Sequence, residues 1–179
     1  FNRTHTNQDI INNLAFGRPD RKKIKFLEGW NMKQVSRHLA DVMKFDYDEV
    51  ITLLNNESFI KDLNINSNTL EGYLFPETYY FFEGVNKKTI IKRLVKEHFS
   101  FWNEENILKA DKLGFTPVEI VTLASIIEGE AIYDSERPII SAVYHNRLKK
   151  GMKLQADPTV QYIIKDCLLY TSDAADEED

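Results

Sequence analysis

A long apolar segment with a clear start constrains the fold more than any other part of this sequence. Thr116 is suited to cap the N-terminus of a helix, Pro117 suits the first helical position, and Glu119 completes a capping box. The residues that follow, EIVTLASIIEGEA (Glu119–Ala131), are apolar nearly all the way round a helix. Such a helix is expected to be buried, so the chain needs a layered globular fold around it.

Composition agrees with a soluble globular chain. Of 179 residues, 42% are apolar and 28% are charged, which excludes a fully disordered chain, a collagen-like repeat and a membrane-spanning bundle. No stretch approaches the roughly 18 consecutive apolar residues of a membrane span, and no signal-peptide pattern is present. The single cysteine, Cys167, excludes an intrachain disulfide and a cysteine-based zinc site.

The net charge of −5 comes from the C-terminal end of the chain. Residues 166–179 carry six acids and no base, which leaves 22 acids against 23 bases in residues 1–165. The formal charge of −5 argues against a general nucleic-acid binder, and residues 1–165 are nearly neutral. The run TSDAADEED (Thr171–Asp179) lacks apolar periodicity, which is typical of a solvated, disordered segment. We predict that residues 166–179 form a disordered, non-native tail.

The N-terminal part of the chain predicts a small α+β unit. The segment KKIKFL (Lys22–Leu27) alternates like a strand, with Ile24 and Phe26 on one face. Asn31 can cap a helix after a turn, and Asp46 can cap a second helix that ends at Asn55 and Asn56.

The middle of the chain predicts extended structure followed by helices. Thr69–Phe82 is rich in aromatic residues and is broken by Gly72 and Pro76, which favours extended chain packed against a core. Asn86 can cap a helix, and Gly114 is placed to end a further helical segment. The first of these helices carries a core-facing stripe at helical spacing: Ile90, Ile91, Leu94, Val95, Phe99 and Trp102.

Two carboxylates end the apolar helix and are the candidates for chemistry. Helical geometry stacks Glu128 over Ala124 and Ser125, whereas Glu130 lies over Ile126 and Ile127. Burial disfavours the ionised form of a carboxyl, which is how a glutamate becomes a general acid near neutral pH. The alternative is that the helix end lies at the surface and both acids are solvated.

A second group of polar residues follows on the next helix and turn. Another helix is expected to begin near Ser135 and to end at Gly151, and it would place Asn146 toward its buried side. The polar side chains of Gln155, Asp157 and Thr159 would lie on a turn before one more short helix, a set suited to sugar hydroxyls. The alternative is plain capping, with Asp157 as the N-cap. The four histidines show no metal-ligand spacing, and no phosphate-binding or nucleophile-elbow motif occurs, so we predict no metal and no other cofactor.

Four motifs in order resemble the MltG/YceG-like family of endolytic murein transglycosylases. They are LEGYLFPETYYF (Leu70–Phe81), LASIIEGEA (Leu123–Ala131), AVYHNRL (Ala142–Leu148) and GMKLQADPTVQY (Gly151–Tyr162). The upstream segment IKFLEGWNMKQVSRHLA (Ile24–Ala40) resembles the LysM-like subdomain of the family. The resemblance implies an α+β chain with an N-terminal segment and LysM-like subdomain over 1–68, followed by a largely helical, incomplete catalytic domain over 69–165. Many family members carry Lys-Glu where this chain has Gly129-Glu130, and the family pattern continues past residue 164, which predicts a C-terminally truncated fragment.

The resemblance also implies a reaction. The catalytic glutamate of the family falls on Glu128. We predict that Glu130, Asn146, Gln155, Asp157 and Thr159 bind the substrate. Such enzymes cleave the β-1,4 bond between N-acetylmuramic acid and N-acetylglucosamine and leave a 1,6-anhydro end. The implied partners are peptidoglycan glycan strands and peptidoglycan synthases. The implied location is the extracytoplasmic face of the bacterial cytoplasmic membrane, with an upstream membrane helix as anchor.

Two other functions are compatible with the sequence. The first alternative is a non-catalytic module that binds peptidoglycan or acts as a scaffold. The second is a cytosolic helical adaptor, which would need an exposed apolar helix face that the predicted stripes do not offer.

Overall fold

The computed structural model describes residues 21–168 of the chain, and their side chains through residue 164. Within that range helices dominate, and two strands form a small antiparallel sheet, so the predicted α+β class is confirmed. In chain order the elements are β1 (Arg21–Lys25), α1 (Met32–Met43), α2 (Tyr47–Leu54), α3 (Glu57–Asp62), β2 (Thr78–Phe82), α4 (Lys87–Phe101), α5 (Glu104–Leu113), α6 (Pro117–Glu130), a 3-10 turn (Asp134–Glu136), α7 (Arg137–Lys149) and α8 (Asp157–Leu168).

The chain forms two compact units that divide between Phe99 and Ser100. β2 pairs with β1 in the first unit, so residues after 68 contribute to the same small sheet as the N-terminal segment. The division between compact units therefore lies later in the chain than the boundary that we predicted after residue 68. The assignment of residues 69–165 to a catalytic domain stays a prediction.

The first unit has a well-filled core beneath its two-stranded sheet. Ile24 lies opposite Tyr79 in the antiparallel register, and both side chains are buried. Phe26, at the end of the predicted strand, is buried as well. The predicted inward face of the first strand is thus confirmed, and β2 lies in the aromatic segment that we expected to be extended.

The predicted helix starts are confirmed by their caps. The side chains of Asn31, Asp46 and Thr116 accept hydrogen bonds from the backbone N–H groups three residues later, at 2.9, 2.9 and 3.3 Å. The sequence did not indicate α3, a six-residue helix capped by Asn56. These caps satisfy N–H groups that a helix leaves without internal partners.

The stripe predicted on α4 is confirmed in its first part. Ile90, Ile91, Leu94 and Val95 are buried, but Phe99 is largely exposed, so its prediction is wrong. His98 is buried in the last turn instead. Burial lowers the pKa of His98, because the imidazolium would lose its hydration there.

The prediction that the helix now labelled α6 is buried on all sides is wrong. Only Leu123 and Ile127 are buried on α6, while Val118 and Ala124 are exposed. A helix that is apolar all round can be buried only if neighbours cover every side. Within the described residues of the second unit, the buried cluster on α6 is completed only by Tyr144 and Ala156.

The end of the described chain differs in part from the prediction. α8 continues to Leu168, so it includes the first residues of the segment 166–179 that we expected to be disordered. Residues from 169 onward lie outside the described residues. None of the helices within residues 21–168 is long and apolar enough to cross a lipid bilayer.

Candidate active site

Glu128 lies in the last turn of α6 and forms an ion pair. Its side chain is 28% exposed, and Oε1 accepts a hydrogen bond from Nη2 of Arg137 at 2.7 Å. Ala124 and Ser125, one turn earlier, are exposed. The turn that precedes Glu128 is therefore exposed and not buried as we expected, and a guanidinium is the nearest charged neighbour of Glu128 among the described residues.

Arg137 is held by two carboxylates. Its Nη1 donates to Oδ1 of Asp134 at 2.9 Å while Nη2 binds Glu128. The hydrogen bond to Glu128 is the main cause that raises the pKa of Arg137 above its ordinary value, with Asp134 adding to it. The guanidinium therefore keeps its charge throughout the physiological pH range.

Hydrogen bonds of Glu136 hold the short connection between α6 and α7, which places Arg137 next to Glu128. One oxygen of Glu136, Oε2, accepts from the backbone N–H groups of Ile132 and Tyr133, both at 3.1 Å. The backbone N–H of Glu136 donates in turn to the carbonyl of Tyr133 at 3.0 Å. The connection is thus held by hydrogen bonds between its own residues, and α7 begins immediately after it with Arg137.

The second carboxylate, Glu130, lies at the exposed end of α6 and interacts with Tyr144. Tyr144 belongs to the small core of this unit, and its ring is buried. Burial raises the pKa of Tyr144, and the Glu130 carboxylate adds to the rise through its charge and a hydrogen bond. The two carboxylates thus have different partners, an arginine for Glu128 and a phenol for Glu130.

Gly129, between the two carboxylates, allows α8 to approach α6 closely. A Cβ atom on Gly129 would lie 2.9 Å from Cβ of Pro158, closer than real side chains come. The absence of a side chain at Gly129 therefore lets the first turn of α8 pack against the end of α6. This contact brings the predicted polar turn at Asp157 to the same end of α6 as Glu128.

Arg147 organises the loop before α8. Its Nη1 donates to the carbonyl of Leu154 and, at 3.3 Å, to Oε1 of Gln155. Its own carbonyl accepts from the N–H of Met152 at 2.9 Å. Gln155 adopts φ of +54°, a left-handed conformation that is uncommon for residues other than glycine. Such strain often accompanies functional loops.

Thr159 and Asp157 occupy the first turn of α8. The Thr159 hydroxyl donates to the carbonyl of Ala156 at 2.6 Å, and its N–H donates to the same oxygen at 3.2 Å. Thr159 therefore uses its hydroxyl hydrogen within the turn. Asp157 is exposed and is the first residue of α8 rather than the residue before the helix.

The prediction that Asn146 leans toward the buried side of its helix is wrong. Asn146 is exposed, and so are Ala142 and Val143, which we took to mark the buried side. The buried side of α7 is instead set by Tyr144, with Ile140 one turn earlier packed against the same core. Two residues along a helix correspond to about 200°, so Asn146 lies on the side away from Tyr144.

Two arginines of the site escaped sequence reasoning. Arg137 carried a signal, because a cation in the first position of a helix lies at the positive end of the helix dipole and needs a compensating anion. The role of Arg147 depends on the path of the loop to Gln155, which no local pattern gives. Within the described residues no group of three or more His, Cys, Asp and Glu side chains could hold a metal ion.

The chain matches the YceG-like family over residues 1–178, a range that extends beyond the four motifs recognised in the sequence. It is 36% identical over 167 residues to an endolytic murein transglycosylase of Bacillus subtilis, covering 83% of this chain and 46% of that protein. It is 25% identical over 187 residues to a protein of the same description from Streptococcus pneumoniae, covering 87% of this chain and 33% of that protein.

A solved structure has a similar fold. The crystal structure of a YceG-like protein from Listeria monocytogenes superposes with a TM-score of 0.73 and 28% sequence identity, covering 90% of this chain and 58% of that one. The chain spans less than half the length of the curated relatives that it matches.

Proposed function

This chain belongs to the YceG-like family, and from that we propose that it is part of an endolytic lytic transglycosylase that acts on peptidoglycan. The similarity to relatives named endolytic murein transglycosylase carries the proposal. The bond cleaved is the β-1,4 linkage between N-acetylmuramic acid and N-acetylglucosamine. We further propose Glu128 as the single catalytic carboxyl.

A lytic reaction needs only one carboxyl. Glycoside hydrolases use two carboxylates because one of them must activate water or form a covalent intermediate. In the lytic reaction the C6 hydroxyl of the muramic acid attacks its own C1, while the bond from C1 to the leaving oxygen breaks. Glu128 gives a proton to the leaving oxygen and then takes the proton of the C6 hydroxyl. The 1,6-anhydro product forms without water, and Glu128 returns to its starting state.

The remaining predicted residues are proposed as substrate contacts. Gln155 and Asp157 are exposed and lie on or next to a loop held by Arg147, so their polar groups are available to sugar hydroxyls. Thr159 can act only as a hydrogen-bond acceptor while its hydroxyl hydrogen binds the Ala156 carbonyl. Asn146 and Glu130 are exposed and complete the proposed set.

The cellular setting is proposed from the same family relationship. Peptidoglycan strands would be the substrate and peptidoglycan synthases would be partners, at the outer face of the cytoplasmic membrane with an upstream helix as anchor. Strand β1 and helices α1 and α2 of the first unit would form the LysM-like subdomain.

The decisive experiment measures product chemistry. The full-length protein that contains this chain and its Glu128→Gln variant are incubated with purified peptidoglycan, and released anhydro-muropeptides are quantified by liquid chromatography and mass spectrometry. We expect the wild type to release them and Glu128→Gln to release almost none. Glu105→Gln is the matched control, because Glu105 is an exposed helical glutamate paired with Lys109, and it should retain activity.

Two results would contradict the proposal. A wild type that binds peptidoglycan but releases no anhydro product would support the non-catalytic binding module instead. Equal release by the wild type and Glu128→Gln would exclude Glu128 as the catalytic carboxyl.

A further inference from the structure

Arg137 is the one cation in contact with Glu128 among the described residues, and both charges lie at electrostatically unfavourable helix ends. Glu128 lies in the last turn of α6, where the helix dipole is negative. Arg137 is the first residue of α7, where the dipole is positive. Their ion pair relieves both interactions at once, which explains why the two side chains meet.

The contact occupies one oxygen of the carboxylate. Nη2 of Arg137 binds Oε1 of Glu128 at 2.7 Å, and the described residues supply no hydrogen bond to Oε2. Nη1 is held by Asp134, so the guanidinium has two anchors and a fixed orientation. The Arg137 side chain is 40% exposed, yet its Nε is buried without an acceptor among the described residues. The guanidinium thus turns its two Nη groups, and not Nε, toward the carboxylates.

We propose that Arg137 is a positioning residue for the catalytic carboxyl: by holding Oε1, it assigns proton transfer to Oε2 of Glu128 and aims that oxygen at the glycosidic bond. This inference rests on the proposed lytic function. A protonated carboxyl keeps a carbonyl oxygen that accepts an N–H, so the contact with Arg137 persists before and after Glu128 gives up its proton. No rearrangement of the pair is needed during the reaction.

The chemistry of arginine is required for this role. The planar guanidinium donates through separate nitrogens to Glu128 and to Asp134, whereas a lysine ammonium is a single point of charge on a flexible stem. The connection closed by Glu136 fixes where α7 begins and therefore where the side chain of Arg137 starts. Arg137 acts through Glu128 in this proposal, so its loss should affect turnover rather than substrate binding.

The test compares kcat and KM for a graded set of variants of the full-length protein that contains this chain. We expect kcat for anhydro-muropeptide release to fall about 100-fold in Arg137→Gln, with KM within about twofold of the wild type, because misplacement of a catalytic group by about 1 Å has an effect of this size. The kcat of Arg137→Lys should lie between that of the wild type and that of Arg137→Gln. Asp134→Asn, which removes the second anchor only, should lose the least activity.

A matched control and a rescue separate positioning from folding. Arg93 makes a contact of the same type and length, from Nη2 to Oε1 of Glu97 at 2.7 Å, in the first unit. Arg93→Gln should therefore keep wild-type kcat and KM. Millimolar methylguanidine should restore part of the kcat of Arg137→Ala without changing its melting temperature, since a damaged fold would not recover in this way.

The outcomes distinguish this inference from the function on which it rests. An inactive wild type would remove the proposed function itself. An active wild type with unchanged kcat in Arg137→Gln would overturn the positioning role. If Arg137→Gln does not fold, the kcat of Arg137→Lys and the rescue of Arg137→Ala test the positioning role instead. An equal rise of KM in Arg137→Lys and Arg137→Ala would identify Arg137 as a substrate contact.

Discussion

At the residue scale, Gly129 is the position where the last turn of α6 meets Pro158. We expect Gly129→Ala to lower the free energy of unfolding by up to about 2 kcal/mol, measured by urea denaturation. Alanine gains roughly 1 kcal/mol of helix propensity over glycine, but the new Cβ would lie 2.9 Å from Cβ of Pro158, and overpacking of this kind costs about 1–3 kcal/mol. Ser125→Ala, at an exposed position of the same helix, is the control and should leave stability unchanged or slightly higher. A stabilised Gly129→Ala would show that α6 and α8 do not approach this closely.

Tyr79 makes the first unit sensitive to alkaline pH. Its phenol donates to the carbonyl of Phe75 at 2.8 Å, and burial raises its pKa, with the carboxylates of Glu97 and Glu77 adding to the rise. The folded state therefore holds this proton more tightly than the unfolded state, so the stabilisation is complete below about pH 10 and is lost as pH rises further. Urea titrations between about pH 9 and pH 11 should show a fall in the free energy of unfolding that is smaller in Tyr79→Phe. The exposed neighbour Tyr80, changed to phenylalanine, should keep the full pH dependence.

At the element scale, Glu71 anchors the start of α1 from a distant part of the chain. Both of its carboxylate oxygens accept from the backbone N–H of Met32, at 3.1 and 3.0 Å. A carboxylate at a helix N-terminus is favoured by the dipole as well as by the hydrogen bonds. We expect Glu71→Ala to lower the free energy of unfolding by about 1–2 kcal/mol and Glu71→Gln by less, since the amide keeps one acceptor. Glu83→Ala, which removes an exposed glutamate that pairs with Lys22 outside any helix, is the control, and equal effects of the two alanine variants would contradict this anchoring.

At the scale of the whole molecule, the two compact units differ in how much apolar surface they bury. Among the described residues, the first unit has nineteen buried hydrophobic residues in its core, whereas the cluster around Leu123, Ile127, Tyr144 and Ala156 has four. Because local stability follows buried apolar contact, we expect amide hydrogens of α6 and α7 to exchange faster than those of α1 and α4. Hydrogen exchange read by mass spectrometry measures this directly. Uniform protection of all four helices would show that the units unfold as one.

Local chemistry made much of the fold predictable. The caps at Asn31, Asp46 and Thr116 depend on residues only three positions away, so the sequence alone identifies them. The α4 stripe was predictable for a similar reason, because helical spacing places its apolar residues on one side. The exposure of Phe99 was not predictable, since burial at the end of a helix depends on what packs there.

The candidate site was predictable only in part. The motifs identified the family, and the helical pattern placed Glu128 near the end of α6. The burial that we expected around Glu128 depended on neighbouring elements, which local periodicity does not specify. The same holds for Asn146, whose helix has apolar residues on more than one side, so the pattern did not reveal which side Tyr144 would bury.

The sequence by itself determined where several helices begin, the α+β class, and the motifs that place the chain in its family, because each depends on residues close together in the chain. The tertiary structure alone decided the contacts of Arg137 with Glu128, of Pro158 with Gly129, and of Glu71 with the start of α1. Those contacts join residues from different elements, and their geometry follows from the path of the connecting chain. The charge that faces a candidate catalytic carboxylate is such a contact, and it therefore had to be read from the fold.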